Sequence, residues 1–165
     1  PPTEVPTEAP IQTRDLTAAP TLETEIDPCQ NVVCPDGEAC FEGVCITDGV
    51  LAFRLSWSGF SDVDIHETTP CGVEISYRDR VDEFTGGNLD IDDTNGGSPA
   101  IENLVFPDFD RLPFGNYELY INNYSGGSDL WTAEVYIEGM NTDTFMGTDE
   151  FRTSIPAGDR DVTCP

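Results

Sequence analysis

Lysine is absent from the sequence, and histidine occurs once, as His66. All seven basic residues are arginines, and they are outnumbered by 32 acidic residues, which gives a formal net charge of -25. Proteins bind nucleic acids and anionic membranes by neutralising phosphates with lysine and arginine. The composition therefore argues against a nucleic acid partner. It leaves cations, cationic partners or a plain acidic surface as explanations of the charge.

Long apolar segments are missing too. No apolar run approaches the roughly 18 residues that a membrane-spanning helix needs. We expect no membrane insertion, and we expect a processed, soluble chain from which any targeting segment has been removed.

The common catalytic motifs are also missing. The sequence has no G-x-S-x-G elbow, no H-E-x-x-H zinc motif and no P-loop. A Ser-His-Asp triad would have to use His66, and no catalytic carboxylate pair stands out among the 32 acidic residues. We predict that the protein is not an enzyme.

Cysteine, in contrast, is present in an even number, and four of the six lie within "CQNVVCPDGEACFEGVC". A four-cysteine cluster can be a zinc site, but this one has no C-x-x-C pair, so we favour disulfides and an oxidising compartment outside the cytoplasm. Among the three possible connectivities of the cluster we prefer the first cysteine with the third and the second with the fourth. The predicted disulfides are Cys29–Cys40, Cys34–Cys45 and Cys71–Cys164.

Composition divides the chain into three parts. Residues 1–28 carry six prolines, many Thr and Glu, and no aromatic residue, which is typical of an extended segment or linker. Residues 29–47 form a disulfide-rich knot with almost no core of its own. This knot resembles the short follistatin-like or EGF-like repeats of extracellular proteins. Residues 48–165 contain the patterned remainder.

That remainder alternates apolar and polar residues with period two and shows no convincing helix. Gly-, Asn- and Pro-rich turns separate the alternating segments. The first of them, "LAFRLSWS", predicts a strand with one buried side, and "GVEISYR" predicts another that includes Val73, Ile75 and Tyr77. The pattern predicts an all-β fold, an antiparallel β-sandwich of jelly-roll or Ig-like type.

Acidic residues gather in two of the segments, "SDVDIHE" and "GGNLDIDDTNGG". If Val63 and Ile65 face the core, Asp62, Asp64 and His66 point outward together, and Asn88, Asp90 and Asp92 do so on the second segment. Calcium prefers oxygen ligands from carboxylates and turn carbonyls. We therefore predict a calcium site; its expected ligands are Asp62, Asp64, Asp90, Asp92 and Asp93. Solvated carboxylates or a structural hydrogen-bond network are the alternatives, and we expect His66 to be a half-buried strand residue.

The blocks "LSWSGFSDVDIHE", "GGNLDIDDTNGGSPAIENLVF" and "PFGNYELYINNYSGG" occur in an order that resembles the bacterial YfaP-like domain, an extracytoplasmic β-sandwich. The resemblance covers about residues 51–127. More loosely, the sequence is similar to the pre-peptidase C-terminal sandwiches of secreted bacterial proteases, several of which hold calcium. These resemblances imply a non-catalytic accessory or adhesive module, outside or on the surface of a bacterial cell.

Three tyrosines are expected at the surface: Tyr120 and Tyr136 on polar strand faces, and Tyr124 in a turn. The same turn contains the sequon Asn123-Tyr124-Ser125, a candidate glycosylation site at Asn123. Aromatic residues on a sandwich face can stack on sugars or pack against another protein. Isolated surface tyrosines are the alternative.

Two functions fit these patterns. The preferred one is a structural subunit of a surface fibre or appendage, whose N-terminal segment adds to a sheet edge of a neighbouring copy or of another cell-surface protein. The apolar residues expected to make this contact are Ile11, Leu16, Leu22 and Ile26. The alternative is a monomeric cell-surface binding or adhesion module for calcium or carbohydrate, carried on a Pro/Thr-rich stalk.

Overall fold

The computed structural model describes residues 27–158 and 164–165, and the statements below concern these residues. They form an all-β structure with one short 3-10 turn, Phe109–Arg111. The strands are β1 Glu38–Phe41, β2 Val44–Thr47, β3 Leu51–Gly59, β4 Asp62–Thr68, β5 Glu74–Ile75, β6 Asn88–Ile91, β7 Gly97–Phe106, β8 Gly115–Ser125, β9 Trp131–Ile137, β10 Met140–Gly147 and β11 Phe151–Ala157. The predicted fold class, an antiparallel β-sandwich with an N-terminal knot, is confirmed.

Two antiparallel sheets form the sandwich. The five-stranded sheet has the order β10-β9-β3-β7-β6, and the four-stranded sheet has the order β11-β8-β4-β5. Phe151 of β11 contacts Trp131 of β9 and Phe145 of β10, at ring centroid distances of 5.7 and 5.0 Å. The strands β9 and β10 therefore lie over β11, and at the opposite side of the sandwich β6 and β7 lie over β4 and β5.

Apolar residues from both sheets fill the space between them, as the period-two pattern requires. Phe53, Phe106 and Tyr117 are fully buried and form a cluster of ring contacts with centroids 5.4 to 6.4 Å apart. The hydroxyl of Tyr117 donates a hydrogen bond of 2.9 Å to the carbonyl of Pro113. The core thus satisfies the polar end of its tyrosine.

Strand β3 differs from its prediction because both of its faces are buried. Arg54 is only 3% exposed and Ser56 only 8% exposed, although both alternate with the core residues. The Arg54 guanidinium lies 4.1 Å from the ring centroid of Tyr136 and 5.8 Å from that of Phe41, and it pairs with Asp48 at 2.8 Å. Part of this cover comes from the knot, because Phe41 belongs to β1.

The knot is a two-stranded hairpin joined by disulfides Cys29–Cys40 and Cys34–Cys45, the pairing that we expected. Two further features attach it to the five-stranded sheet. Phe41 and Ile46 form a small apolar cluster with Ile101 of β7. In addition, the Asn103 side-chain amide donates a hydrogen bond of 2.9 Å to the carbonyl of Thr47. The knot therefore packs on the sandwich instead of standing apart as a separate spacer.

The third disulfide joins Cys71 to Cys164 across a sequence separation of 93 residues. Its second cysteine lies in the described C-terminal pair, and residues 159–163 are outside the described part of the chain. The three disulfides favour an oxidising environment for the folded protein.

Other strand predictions need correction. The strand expected around Val73, Ile75 and Tyr77 contains only Glu74–Ile75, and Val73 is 36% exposed. The strand is short because the described part of this segment pairs with β4 at two positions, Ile75 with Glu67 and Glu74 with Thr68. Strands β7, β10 and β11 were not predicted, and β7 proves to be a central strand that pairs with both β3 and β6.

Candidate functional site

The candidate site lies at the side of the sandwich where β4 faces β6 and β7. Because β5 pairs only with the end of β4, the backbone of Ile65 is free to bond elsewhere. Its N–H donates to a carboxylate oxygen (Oε2) of Glu102 on β7, at 2.5 Å. A single side chain thus links the edge of one sheet to a central strand of the other.

Two further carboxylates lie beside Glu102. One ligand atom from each of Asp64, Asp92 and Glu102 can be chosen so that all three lie within 4.8 Å of one another. Glu102 is 0% exposed and Asp64 is 4% exposed, so this cluster is buried at its centre. We call Asp64, Asp92 and Glu102 the acidic cluster.

Several oxygens in and beside the acidic cluster have no hydrogen-bond partner among the described residues. They are buried, and they belong to four carboxylates: Asp62 Oδ1, Asp64 Oδ2, Asp92 Oδ1 and Glu102 Oε1. A buried carboxylate without a partner loses its hydration without compensation. These oxygens would be compensated by a group that contacts several of them together.

Among residues 27–158 and 164–165, little positive charge lies near the acidic cluster. Arg80 Nη1 approaches Asp92 Oδ2 at 3.6 Å, but the same guanidinium also donates to the carbonyls of Leu89 and Asp90. His66 and, to a smaller extent, Arg78 lower the pKa of Asp64, but burial and the charge of Asp62 outweigh them and the pKa stays raised.

The pKa values of these carboxylates are raised first by burial and then by neighbouring negative charge. Burial raises the pKa of Asp64 to about 6, with a further contribution from Asp62. Burial raises the pKa of Glu102 well above its ordinary value; Asp64 and Asp92 add to the effect, and the hydrogen bond from Ile65 opposes it. The pKa of Asp62 is raised by burial and then by Asp92 and Asp93. In the absence of a cation, the protein therefore resists full ionisation of these groups.

The geometry permits two arrangements of the acidic cluster. Oxygens bound to one Ca²⁺ at about 2.3 to 2.6 Å can be at most about 5 Å apart, and the acidic cluster lies within that limit. Asp62 and Asp93 are outside this group of three, but their charges interact with each other, and the charge of Asp92 also acts on Asp62. Alternatively, Glu102 and Asp92 can share a proton, as two close carboxylates do when no cation is bound.

Of the five expected ligands, Asp62, Asp64, Asp92 and Asp93 lie in or near the acidic cluster. Asp64 does not point into solvent as predicted: it is only 4% exposed, and its charge neighbours include Asp92, which follows β6, and Arg78, which follows β5. Asp93 accepts a hydrogen bond of 3.0 Å from the backbone N–H of Asn95 and so caps the turn before β7.

Asp90 is not part of the acidic cluster, and the prediction that it shares a face with Asp92 is wrong. A register shift between Leu89 and Ile91 interrupts the alternation of β6. Asp90 instead accepts hydrogen bonds from the Asn103 side-chain amide at 2.8 Å and the Thr47 N–H at 3.3 Å. It therefore helps to attach the knot.

Glu102 was missed because β7 itself was not predicted. One signal was present in "SPAIENLVF": Glu102 falls at the same alternate positions as Ala100, Leu104 and Phe106, all of which are buried. A glutamate at a core position of an apolar strand is expensive unless something compensates its charge.

His66 lies next to the acidic cluster but is occupied otherwise. Its Nδ1 pairs with Glu74 Oε1 at 2.7 Å, and its side chain is 14% exposed. The ring is perpendicular to that of Tyr77, with centroids 5.8 Å apart. It is a half-buried strand residue, and calcium prefers oxygen ligands.

The predicted surface groups have mixed environments. Tyr124 is 59% exposed, whereas Tyr120 and Tyr136 are half-buried beneath the guanidinium groups of arginines. The side-chain amide of Asn123 donates to the carbonyl of Gly127 at 2.5 Å. A glycan at Asn123 would have to replace this bond. The predicted assembly residues Ile11, Leu16, Leu22 and Ile26 all lie outside the described residues.

Within the described ranges, no helix has the length and apolar character of a membrane span. The similarity to YfaP-like domains stays a prediction. No protein-family model matches the chain, and neither a curated protein nor a solved structure matches it.

Proposed function

We propose that this chain is a non-enzymatic, extracellular binding or adhesion module whose β-sandwich binds calcium at the acidic cluster. The observation that carries the proposal is a set of buried carboxylate oxygens that have no hydrogen-bond partner in the described part of the chain; they belong to Asp62, Asp64, Asp92 and Glu102. One divalent cation can contact several of these oxygens and offset their negative charge. A shared proton can join only two of the carboxylates.

The position of the acidic cluster suggests what the cation would do. Asp64 belongs to the four-stranded sheet, whereas Glu102 and Asp92 belong to the five-stranded sheet and the turn after β6. A cation held by these three residues would fasten the two sheets together at their open side. Calcium outside cells is present at millimolar concentration, the range over which extracellular modules bind it.

Two sequence-level observations support the extracellular setting. The three disulfides fit an oxidising compartment. The blocks that resemble the YfaP-like domain favour an accessory module at the surface of a bacterial cell.

Calcium binding is tested by thermal unfolding of the full chain with excess calcium and with a chelator. A site that binds only the folded state must raise the melting temperature. An unchanged melting temperature at millimolar calcium would contradict the cation site. Isothermal calorimetry with calcium and with magnesium would establish which ion is preferred.

A second function, that of a fibre subunit, is favoured by the exposed edge of the five-stranded sheet. Within the described part of the chain, strand β10 pairs with β9 alone, and Met140 and Met146 on it are each 64% exposed. An open edge of this length can accept an added strand. The partner would be another copy or another cell-surface protein.

Deleting residues 1–27 separates the two functions. For a fibre subunit, light scattering and electron microscopy should show assembly of the full chain and none of the truncated chain, while the melting temperature stays similar. If both chains remain monomeric, or if both assemble equally, the N-terminal segment is not the assembly element.

A further inference from the structure

The outer face of the four-stranded sheet carries a row of side chains in register across three strands. Arg152 of β11 lies opposite Tyr120 of β8, and Tyr120 lies opposite His66 of β4. The Arg152 guanidinium carbon is 3.5 Å from the centroid of the Tyr120 ring, and the Tyr120 and His66 rings are 5.3 Å apart. The Tyr120 and His66 rings are inclined to each other by 51°, so neighbouring strands present a continuous row of ring faces and edges.

The row continues beyond β4 through residues that precede β6 or end β8. His66 contacts Tyr77, and Tyr77 contacts Tyr124 with ring centroids 5.9 Å apart. A second guanidinium, that of Arg78, lies 5.2 Å from the centroid of the Tyr77 ring. Four rings and two guanidinium groups thus contact one another in succession, and Tyr77 among them also packs against the core. None of them belongs to the acidic cluster.

Polar groups with fixed positions border the row. Glu74 is held by His66 at 2.7 Å, and Glu118 accepts a hydrogen bond of 2.7 Å from the hydroxyl of Ser154. Between them lies a concavity of about 180 Å³, whose lining includes Thr68. It therefore combines two carboxylate acceptors, a guanidinium with five donors and ring surfaces within one small space.

We propose that this groove binds a neutral saccharide and that its concavity takes one hexose-sized unit. Sugars present adjacent hydroxyl groups, which pair with carboxylates and guanidinium groups, and C–H faces, which pack on aromatic rings. The concavity is smaller than the about 300 to 1,000 Å³ of sites for drug-sized ligands, so a single ring is the matching size.

The charges select a neutral ligand. The formal net charge of -25 repels polyanionic glycans at long range. Within the groove, the carboxylates of Glu74 and Glu118 lie together with the guanidinium group of Arg152, so its lining presents charges of both signs. A ligand rich in hydroxyl groups uses both kinds of group without needing a net charge.

This inference rests on the binding-module function proposed above, but it does not need the cation. The two can therefore fail separately. Saccharide binding is measured with a chelator present, and calcium binding is measured without saccharide. A protein that binds calcium but no saccharide overturns only the groove, and one that binds saccharide but no calcium overturns only the cation site.

The test uses the fact that His66 is the only histidine in the chain. Its ring protons give one assignable set of NMR signals, located within the groove. The full chain is titrated with neutral hexasaccharides of glucose, mannose, xylose and N-acetylglucosamine. Polygalacturonate and hexalysine serve as the anionic and cationic comparisons. At least one neutral saccharide should shift the His66 signals saturably at millimolar concentration.

Variants connect that shift to the groove. Arg152→Ala and Tyr120→Ala should each weaken saccharide binding by about tenfold or more, as the loss of an Arg or Tyr anchor does. Tyr120→Phe keeps the ring and should bind nearly as well as the wild type. Met140→Ala, on the exposed edge of the other sheet, is the matched control and should change nothing.

The inference is overturned if no neutral saccharide shifts the His66 signals, or if only polygalacturonate or hexalysine does. It is also overturned if Arg152→Ala and Tyr120→Ala bind as the wild type does. Should either alanine variant melt at a clearly lower temperature, Glu118→Gln replaces it. This substitution keeps the size of an exposed side chain and removes its charge, and it should also weaken binding.

Discussion

Replacing Glu102 by glutamine should have opposite effects on the melting temperature in chelator and in calcium. Glu102→Gln preserves the shape of the side chain and an oxygen that can accept from the Ile65 N–H. It removes one negative charge from beside Asp64 and Asp92, both of which raise the pKa of Glu102. In chelator the variant should therefore melt at the same temperature as the wild type or higher.

In calcium the order should reverse. At a calcium concentration about 100 times the dissociation constant, one site adds about 2.7 kcal/mol to the free energy of unfolding. For a chain of this size, about 1 kcal/mol shifts the melting temperature by about 2 to 4 °C, so the wild type should gain about 5 to 11 °C. Glu102→Gln should lose most of that gain because it replaces a charged ligand.

The assay is differential scanning calorimetry of both chains in calcium and in chelator at neutral pH. Asp90→Asn is the matched control, because Asp90 is an aspartate of the same region that bonds to Thr47 and Asn103 instead of joining the acidic cluster. Its melting temperature should fall, yet the calcium-dependent gain should remain.

Two results would refute this reasoning. One is a wild-type melting temperature that calcium does not change. The other is a calcium-dependent gain that Glu102→Gln leaves intact. If calcium has no effect but Glu102→Gln stabilises the protein more at neutral than at acidic pH, the acidic cluster shares a proton and binds no cation.

Three other predictions concern stability. Burial, with a smaller contribution from Glu118, raises the pKa of Glu67 from 4.5 to about 9, so the folded protein keeps a proton that the unfolded chain loses. Stability should therefore fall across that pH window, by up to about 1.4 kcal/mol per pH unit, and urea titrations of Glu67→Gln should lack this loss. Replacing both Cys71 and Cys164 with serine opens a loop of 93 residues. The free energy of unfolding, measured by calorimetry, should fall by about 4 to 5 kcal/mol relative to the wild type. An unchanged value would mean that this bond does not constrain the unfolded chain. Gly59→Ala should lower the melting temperature more than Gly139→Ala. A Cβ at Gly59 would meet the carboxylate of Asp129, whereas one at Gly139 would meet nothing within 4 Å. If both variants lose the same amount, the backbone conformation alone is the cause.

Much of the fold could be predicted because its signals are local. In β3, Leu51, Phe53, Leu55 and Trp57 recur every second residue, and all four are buried. The prediction that the other face of β3 is open was wrong, since Tyr136 of β9 and Phe41 of the knot both lie against Arg54 on that face. Whether a polar strand face meets solvent or another element is a non-local property that alternation does not encode.

The candidate site shows the same division. Asp62 and Asp64 could be selected from the sequence because acidic residues alternate with Val63 and Ile65 on a strand. Glu102 could not, since its role depends on β7 lying against the free edge of β4 in the other sheet. Asp90 was assigned wrongly because a bulge, which follows from strand pairing, changes the face to which a residue belongs.

The sequence alone determined an acidic, all-β, disulfide-bonded chain, because charge, period-two alternation and paired cysteines are carried by the residues themselves. Only the tertiary structure decided which carboxylates meet and which rings line up. Both depend on the packing of two sheets and on the register of strands far apart in the chain. In this protein, Asp64 and His66 are two residues apart on one strand, yet the first turns to the acidic cluster and the second joins the aromatic row.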